Sequence, residues 1–254
     1  MLRTYADVNT MSRRGSPKLV VLDCDGVLVD GYTSIFVAER LGFGEELRSV
    51  YKDLLTSAIS FRQAMDRALR LFLGTKEGEI RELLMQVPLM QGAEEAVRSM
   101  KSNGLIVGTI STGASQYFLD ILGERIGLDF FVGTRVRIEN GVFVNIEQPI
   151  VDLENKGRIL SEIASSYGIR LSECAAVGDD ASNVPLFKLV GTSIMFDSGC
   201  LERELLRMRL GAFEKAKLRL RLWLAKRYVR NNALYVVKSK NLMDVLNVIG
   251  INRP

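Results

Sequence analysis

In the segment VVLDCDGVLVDG, residues 20–31, Asp23 and Asp25 follow directly on Val20, Val21 and Leu22, and Gly26 comes next. Three aliphatics suit a buried strand, and a glycine after acidic residues suits a chain turning out of a sheet. Two carboxylates at a strand mouth can hold a hard cation, attack an electrophile or carry a proton. Taken alone, the same letters also fit an Asp-Gly turn without chemistry.

Three more stretches carry candidate groups. Ser111 and Thr112 end VGTIST, Lys156 opens the helical pattern of NKGRIL, and Asp179, Asp180 and Asn183 lie in AAVGDDASN. Each has a plain structural use: a loop and helix N-cap, a solvated lysine, a capped helix start. Together they fall at strand ends and a helix start on one rim of a sheet. Carboxylates from two strand ends suit Mg²⁺, and a hydroxyl and a lysine beside them suit phosphate oxygens. That combination describes phosphoryl transfer. The 254 residues contain no histidine, which excludes Ser-His-Asp and Cys-His triads and histidine-built metal sites.

The elements that must position these groups follow from the periodicity. Residues 1–17 are expected to be a mobile tail ending at the breaker-rich GSP. Residues 18–32 and 88–254 alternate strands with helices, which implies an α/β core: a doubly wound, Rossmann-like parallel sheet with ligands outside the carboxyl ends of its strands. Asn140-Gly141 between alternating runs predicts a hairpin. Residues 33–87 show apolar spacings of three and four with almost no strand signal, predicting a small helical cap inserted after the first strand. Cys24, Cys174 and Cys200 have neither disulfide nor zinc spacing and are expected to be apolar fillers.

Four motifs in order, DCDGVL, TISTGAS, NKGRIL and VGDDASN, with a helical cap between the first two, resemble the haloacid dehalogenase superfamily and its phosphoserine-phosphatase-like branch. The resemblance covers roughly residues 18–200, and YVVKSKNLMDVLNVI resembles the family's closing strand and helix. It implies that Asp23 attacks phosphorus to form an aspartyl-phosphate, and that Asp25 protonates the leaving alcohol and later deprotonates water. It further implies that Ser111, with Thr112 beside it, and Lys156 hold phosphoryl oxygens. Mg²⁺ would be bound by Asp23, the backbone carbonyl of Asp25, and Asp179.

Two departures from the pattern bear on function. Asn183 stands where the motif usually has aspartate, which removes a negative charge; Asp180 is the auxiliary group that compensates. A glutamate and an arginine that hold phosphoserine in the branch fall on Tyr32 and near Ala68, with Arg62 and Arg67 close by. A zwitterion without charged partners binds poorly, so phosphoserine is a doubtful substrate. Tyr32, Phe61, Arg62 and Arg67 are the candidate cap residues facing a small phosphorylated metabolite.

The chain carries a net charge of +4, yet residues 201–230 hold ten Lys/Arg against three Glu, a local +7 that leaves −3 elsewhere. Leu205, Met208, Leu218, Leu222 and Val229 suit one helical face, whereas KLRLRLWL alternates as a strand would. This basic insertion fits a solvated surface hairpin; Trp223 and Tyr228 among its cations also fit contact with anionic lipid headgroups. No nucleic-acid motif accompanies the charge, which disfavours that partner. A cytoplasmic phosphatase is the expectation. A binding module that has lost turnover, and phosphoryl transfer to an acceptor other than water, remain open alternatives on the same scaffold.

Overall fold

The computed structural model describes residues 16–208 and 211–251; of the expected tail, residues 1–15 lie outside them. Strand β1 (Leu19–Leu22) is buried along its whole length. Val20 and Leu22 pack with Val97, Met100 and Leu119 on one face, while Leu19 and Val21 pack with Leu160, Ala164 and Leu186 on the other. Because both faces are apolar, hydrophobicity alone does not set the strand's limit. Asp23 does, since sliding its carboxylate into the sheet would cost several kcal/mol.

The chain then leaves the sheet for four helices: α1 (Thr33–Leu41), α2 (Gly44–Leu55), α3 (Phe61–Arg70) and α4 (Glu77–Met85). The helical run after Leu47 breaks between α2 and α3. There Ser57 takes a positive φ of 58°, and Ser60 caps α3 in a reciprocal box with Gln63. These helices have small apolar clusters of their own, one built on Ile35, Ala38, Leu47 and Ala68.

Helix α5 (Ala93–Ser102), β2 (Ile106–Ser115), α6 (Gln116–Ile126) and β3 (Phe130–Thr134) return to the core. The hairpin β4 (Val136–Glu139) and β5 (Val142–Ile146) turns at Asn140 and Gly141, whose φ values of 50° and 72° suit a two-residue type I′ turn. Ile146 at the end of β5 and Ile150 beyond it pack against Ala64 and Met65 of α3, so the hairpin region supports that helix.

Helix α7 (Lys156–Ser166), β6 (Cys174–Gly178), the short α8 (Val184–Phe187), β7 (Thr192–Phe196), α9 (Cys200–Arg207), α10 (Ala212–Asn232) and β8 (Tyr235–Val237) complete the order. The six-stranded sheet runs β3-β2-β1-β6-β7-β8 and is parallel throughout. From β1 the chain crosses to β2 on one side and later to β6 on the other, so a crevice opens where these strands end.

Three local expectations are corrected. KLRLRLWL is not a strand but the centre of α10, because Leu and Arg are good helix formers and an i, i+4 pair, Leu218 and Leu222, finds an apolar partner surface on α2. The closing NLMDVLNVIG forms a 3₁₀ turn over Leu242–Val245 rather than a full helix, and the segment after Asp180 starts as 3₁₀ over Ala181–Asn183. Of the apolar face assigned to the basic segment, Met208, Leu218 and Leu222 pack with Tyr51 and Leu55, whereas Val229 joins the core; the side chain of Leu205 lies outside what is described.

Candidate active site

The register fixes where the chemistry gathers. Leu22 pairs with Thr109 on one side and Val177 on the other, so Asp23, Ser111 and Asp179 emerge from neighbouring strands at one sheet edge. The amide of Asp23 still donates to the carbonyl of Val177 at 2.9 Å, which holds the first carboxylate at the rim.

Asp23 is buried and accepts at Oδ1 from the amide of Cys24 at 2.9 Å. Lys156, completely enclosed at the start of α7, places Nζ 3.5 Å from that oxygen and donates to Oδ1 of Asn183 at 2.8 Å. A lysine can only donate, so the amide of Asn183 must turn its Nδ2 away, toward Oδ2 of Asp23, to which it donates. Asn183 thereby links cation and carboxylate with both ends of one side chain.

Asp25 is held differently. Its Oδ1 accepts from the amide of Thr33 at 2.9 Å and from the Thr33 hydroxyl at 2.6 Å, at the first turn of α1. Burial pushes its carboxyl up to about 6, against the lowering effect of the Thr33 bonds and with smaller upward contributions from Asp23 and Asp180. Gly113 leaves room here, since a Cβ on it would stand 3.1 Å from Oδ2 of Asp25.

Asp179 and Asp180 follow β6. Burial, then the neighbouring carboxylates Asp180 and Asp23, hold Asp179 well above the usual range; burial and Asp23 also raise Asp180. Asp180 accepts from the amide and hydroxyl of Ser182 at 2.9 and 2.6 Å. Gly26, with φ +76°, is the one residue type that fits under Asp179: a Cβ would meet Oδ2 at 2.2 Å. Oxygens of Asp23, Asp179 and Asp180 lie within 4.8 Å of one another. Three crowded carboxylate oxygens, that of Asp23 buried and those of Asp179 and Asp180 half-buried on groups pushed toward the protonated form, suit a hard divalent cation.

The Ser111 hydroxyl is buried and accepts from the amides of Gly113 and Ala114 at 3.3 and 3.0 Å, leaving its proton free to donate. Thr112 is buried beside it. Above the rim lies a cavity of about 270 Å³ that reaches Asp23, Asp25, Ser111, Thr112, Asp179 and Asp180.

The structure thus gathers Asp23, Asp25, Ser111, Thr112, Lys156, Asp179, Asp180 and Asn183 within one crevice. Asp180, expected as an auxiliary group, stands in the carboxylate cluster itself. The carboxylate of Asp25 turns to Thr33 instead of that cluster. Tyr32 and Phe61 line the cavity, but Arg62 and Arg67 do not. Arg62 pairs with the buried Asp152 just before α7, and with Glu154 at 3.7 Å; Arg67 pairs with Asp53 at 3.5 Å. Acidic neighbours on the loop before α7 and on α2 take both arginines up. Thr33, Asp152 and Glu204 escaped the sequence reading. Only Thr33, a hydroxyl at a helix start eight residues after Asp25, left a local trace.

A model of the haloacid dehalogenase-like hydrolases matches residues 17–191. Phosphoserine phosphatase of Archaeoglobus fulgidus is 34% identical over 199 residues, which span 78% of this chain and 56% of that protein. Phosphoserine phosphatase of Methanocaldococcus jannaschii is 28% identical over 70% of this chain and 85% of its own length. Among solved structures, a phospho-aspartyl intermediate analogue of phosphoserine phosphatase superposes with a TM-score of 0.72 at 23% identity, covering 91% of this chain and 98% of that one. A HAD family hydrolase from Salmonella enterica serovar Typhi reaches 0.77 at 20% identity, over 92% and 72% of the two chains. At these identities the structures speak for the fold.

Proposed function

The chain belongs to the haloacid dehalogenase-like hydrolases, and we propose that within them it is a Mg²⁺-dependent phosphatase acting on a small phosphomonoester through an aspartyl-phosphate. The observation that carries this reading is the pairing of a buried carboxylate, Asp23, with an enclosed lysine, Lys156, beside Asp179 and Asp180. A carboxylate can approach a phosphate dianion only where positive charge offsets the repulsion. Asp23, Asp179 and Asp180 would hold Mg²⁺, which supplies that charge and polarises the phosphoryl group.

The remaining roles belong to the chain's own groups. Oδ of Asp23 bonds to phosphorus as the bond to the leaving oxygen breaks, and Asp25 gives that oxygen its proton. Asp25 then takes a proton from water as the water attacks phosphorus and Asp23 departs. A carboxyl near 6 is suited to carry a proton in both directions around neutral pH. Thr33 orients it, Ser111 and Lys156 bind phosphoryl oxygens, and Asn183 keeps Asp23 and Lys156 in register.

Hydrolysis of p-nitrophenyl phosphate tests the proposal. Turnover is expected with Mg²⁺ and is lost with EDTA or in Asp23→Asn. Turnover that survives in Asp23→Asn, or its absence from the folded, Mg²⁺-supplied protein, refutes the mechanism. Phosphoserine is not the preferred substrate on this reading, because Tyr32 and the buried Ala68 offer no charge to a zwitterion and Arg62 and Arg67 are engaged elsewhere.

A second feature supports contact with an anionic lipid surface. On the outer side of α10, Phe213 is 83% and Trp223 55% exposed, with Leu220 and Leu224 also open to solvent. Lys215, Lys217, Arg219 and Arg230 have no carboxylate partner among the described residues. Apolar side chains interleaved with unpaired cations fit a helix lying in a headgroup layer. Co-sedimentation with vesicles containing phosphatidylglycerol, weakened by salt and absent with phosphatidylcholine alone, is the expected result; no binding at low salt refutes it. Among the described residues no helix is long and apolar enough to cross a membrane.

A further inference from the structure

Resting on the hydrolase reading above, we infer that the leaving group is an alcohol with an apolar body and a second hydrogen-bond donor at its far end, received by Glu204. The cavity over the carboxylates has one polar end and an otherwise apolar wall. Tyr51, Leu54 and Met65 line it from the cap helices, and Leu201, Met208 and Ala225 from the α9–α10 segment. That segment lies beyond residue 191, where the family match ends, so this half of the wall belongs to the part of the chain the family does not define.

Glu204 breaks the apolar character of that wall. It lines the cavity and is only 7% exposed. Its Oε1 accepts from Nη1 of Arg207 at 2.9 Å, while Oε2 is buried with no hydrogen-bond partner among the described residues. A buried carboxylate oxygen without a donor is unfavourable, and a ligand that brings the donor removes the deficit. No lysine or arginine stands among the residues lining the cavity. A leaving group bearing a carboxylate therefore finds no cation there to balance its charge, whereas one bearing a hydroxyl or an amine finds Glu204. Arg207 already balances the charge of Glu204, so either donor suits the site.

The test is a substrate series on the purified full chain with Mg²⁺: alkyl phosphates from ethyl to octyl ending in methyl, hydroxyl or amino, with phosphoserine and p-nitrophenyl phosphate alongside. The kcat/KM values should rise roughly fourfold per added methylene until the chain fills the cavity. At the optimal length a hydroxyl or amino terminus should add about tenfold or more. Glu204→Leu should abolish the preference for a donor terminus. Glu204→Gln should retain it for hydroxyl and lose it for amine, which identifies the donor. Ala225→Phe should shift the optimum to shorter chains and, with the wild-type series, keeps the inference testable if Glu204→Leu does not fold. Turnover of p-nitrophenyl phosphate with no response to chain length or terminus, or with phosphoserine ahead, overturns this inference alone. No Asp23-dependent turnover of any ester overturns the hydrolase reading, and the inference with it.

Discussion

Asn183→Asp replaces one donor nitrogen with a charged oxygen inside a buried network, and the structure predicts opposite effects on the metal-free and Mg²⁺-bound protein. The oxygen that replaces Nδ2 would stand where 3.3 Å separates it from Oδ1 of Asp180, a repulsion of about 5 kcal/mol at an effective dielectric near 20. It also faces Oδ2 of Asp23, where a charge-assisted hydrogen bond of roughly 1.5–3 kcal/mol is lost. The attraction of Lys156, 2.8 Å from the other oxygen, offsets about one of these repulsions. The loss is capped by protonation: placing a proton on one ordinary carboxylate at pH 7 costs about 4 kcal/mol, and the protonated carboxyl of the variant donates as the Asn183 amide does. Destabilisation of about 2–4 kcal/mol is therefore expected without metal, a fall in Tm of about 5–15 °C in a chain of this size. The folded variant then holds a proton that the unfolded chain releases at neutral pH, so the deficit shrinks as the pH is lowered toward 5. With Mg²⁺ the added carboxylate becomes an asset, and the rise in Tm on adding the metal should exceed that of the wild type. Thermal unfolding with EDTA and with Mg²⁺, at pH 5 and pH 7, measures all of this. An unchanged metal-free Tm, or a smaller Mg²⁺ response than wild type, would refute the placement of Asn183 between Lys156 and Asp23.

Three further outcomes are expected. Thr33→Val removes the 2.6 Å hydroxyl bond to Asp25 while keeping the backbone bond, and kcat on p-nitrophenyl phosphate should fall about 10–100-fold with little change in Tm. Arg62→Ala strips the buried Asp152 of its charge partner but leaves its bonds from the amides of Glu154 and Asn155, so a loss of about 1–2 kcal/mol in urea unfolding is expected, and an unchanged midpoint counts against that tie. Burial raises all three thiols, Cys174 to about 11, so a thiol reagent at pH 7.5 should label the native protein slowly and all three cysteines once it is unfolded in guanidinium; rapid native labelling would contradict their enclosure.

The fold class and the gathering of the central residues were legible in the chain because both depend on local signals. Aliphatic runs stopping at Asp23 and Asp179 are strand ends by composition. Ser111 follows the point where β2 stops pairing with β1, although β2 itself continues to Ser115. Parallel strands alternating with helices must deliver these positions to one edge. The Asn140-Gly141 turn was legible for the same reason, since two consecutive residues at positive φ admit few side chains. KLRLRLWL misled because a strand's alternation and a helix's i, i+4 pair share the same leucines, and only a neighbouring surface tells them apart; α2 supplies it.

The amino-acid sequence by itself determined which chemistry is possible: carboxylates and hydroxyls where aliphatic runs stop and one lysine at a helix start, with no imidazole anywhere in the chain. Tertiary structure alone decided how those groups divide the work. Thr33 takes Asp25 away from the carboxylate cluster, Asn183 turns by the donor-only nature of Lys156, and Arg62 and Arg67 are drawn off by Asp152 and Asp53. The cavity wall was equally hidden, because Glu204 and Ala225 lie more than 170 residues along the chain from Tyr32 and meet its pocket only when the α9–α10 segment folds back against α2. Periodicity records which face of an element is buried; it carries no record of what that face is buried against, and the shape of a binding site is made of those contacts.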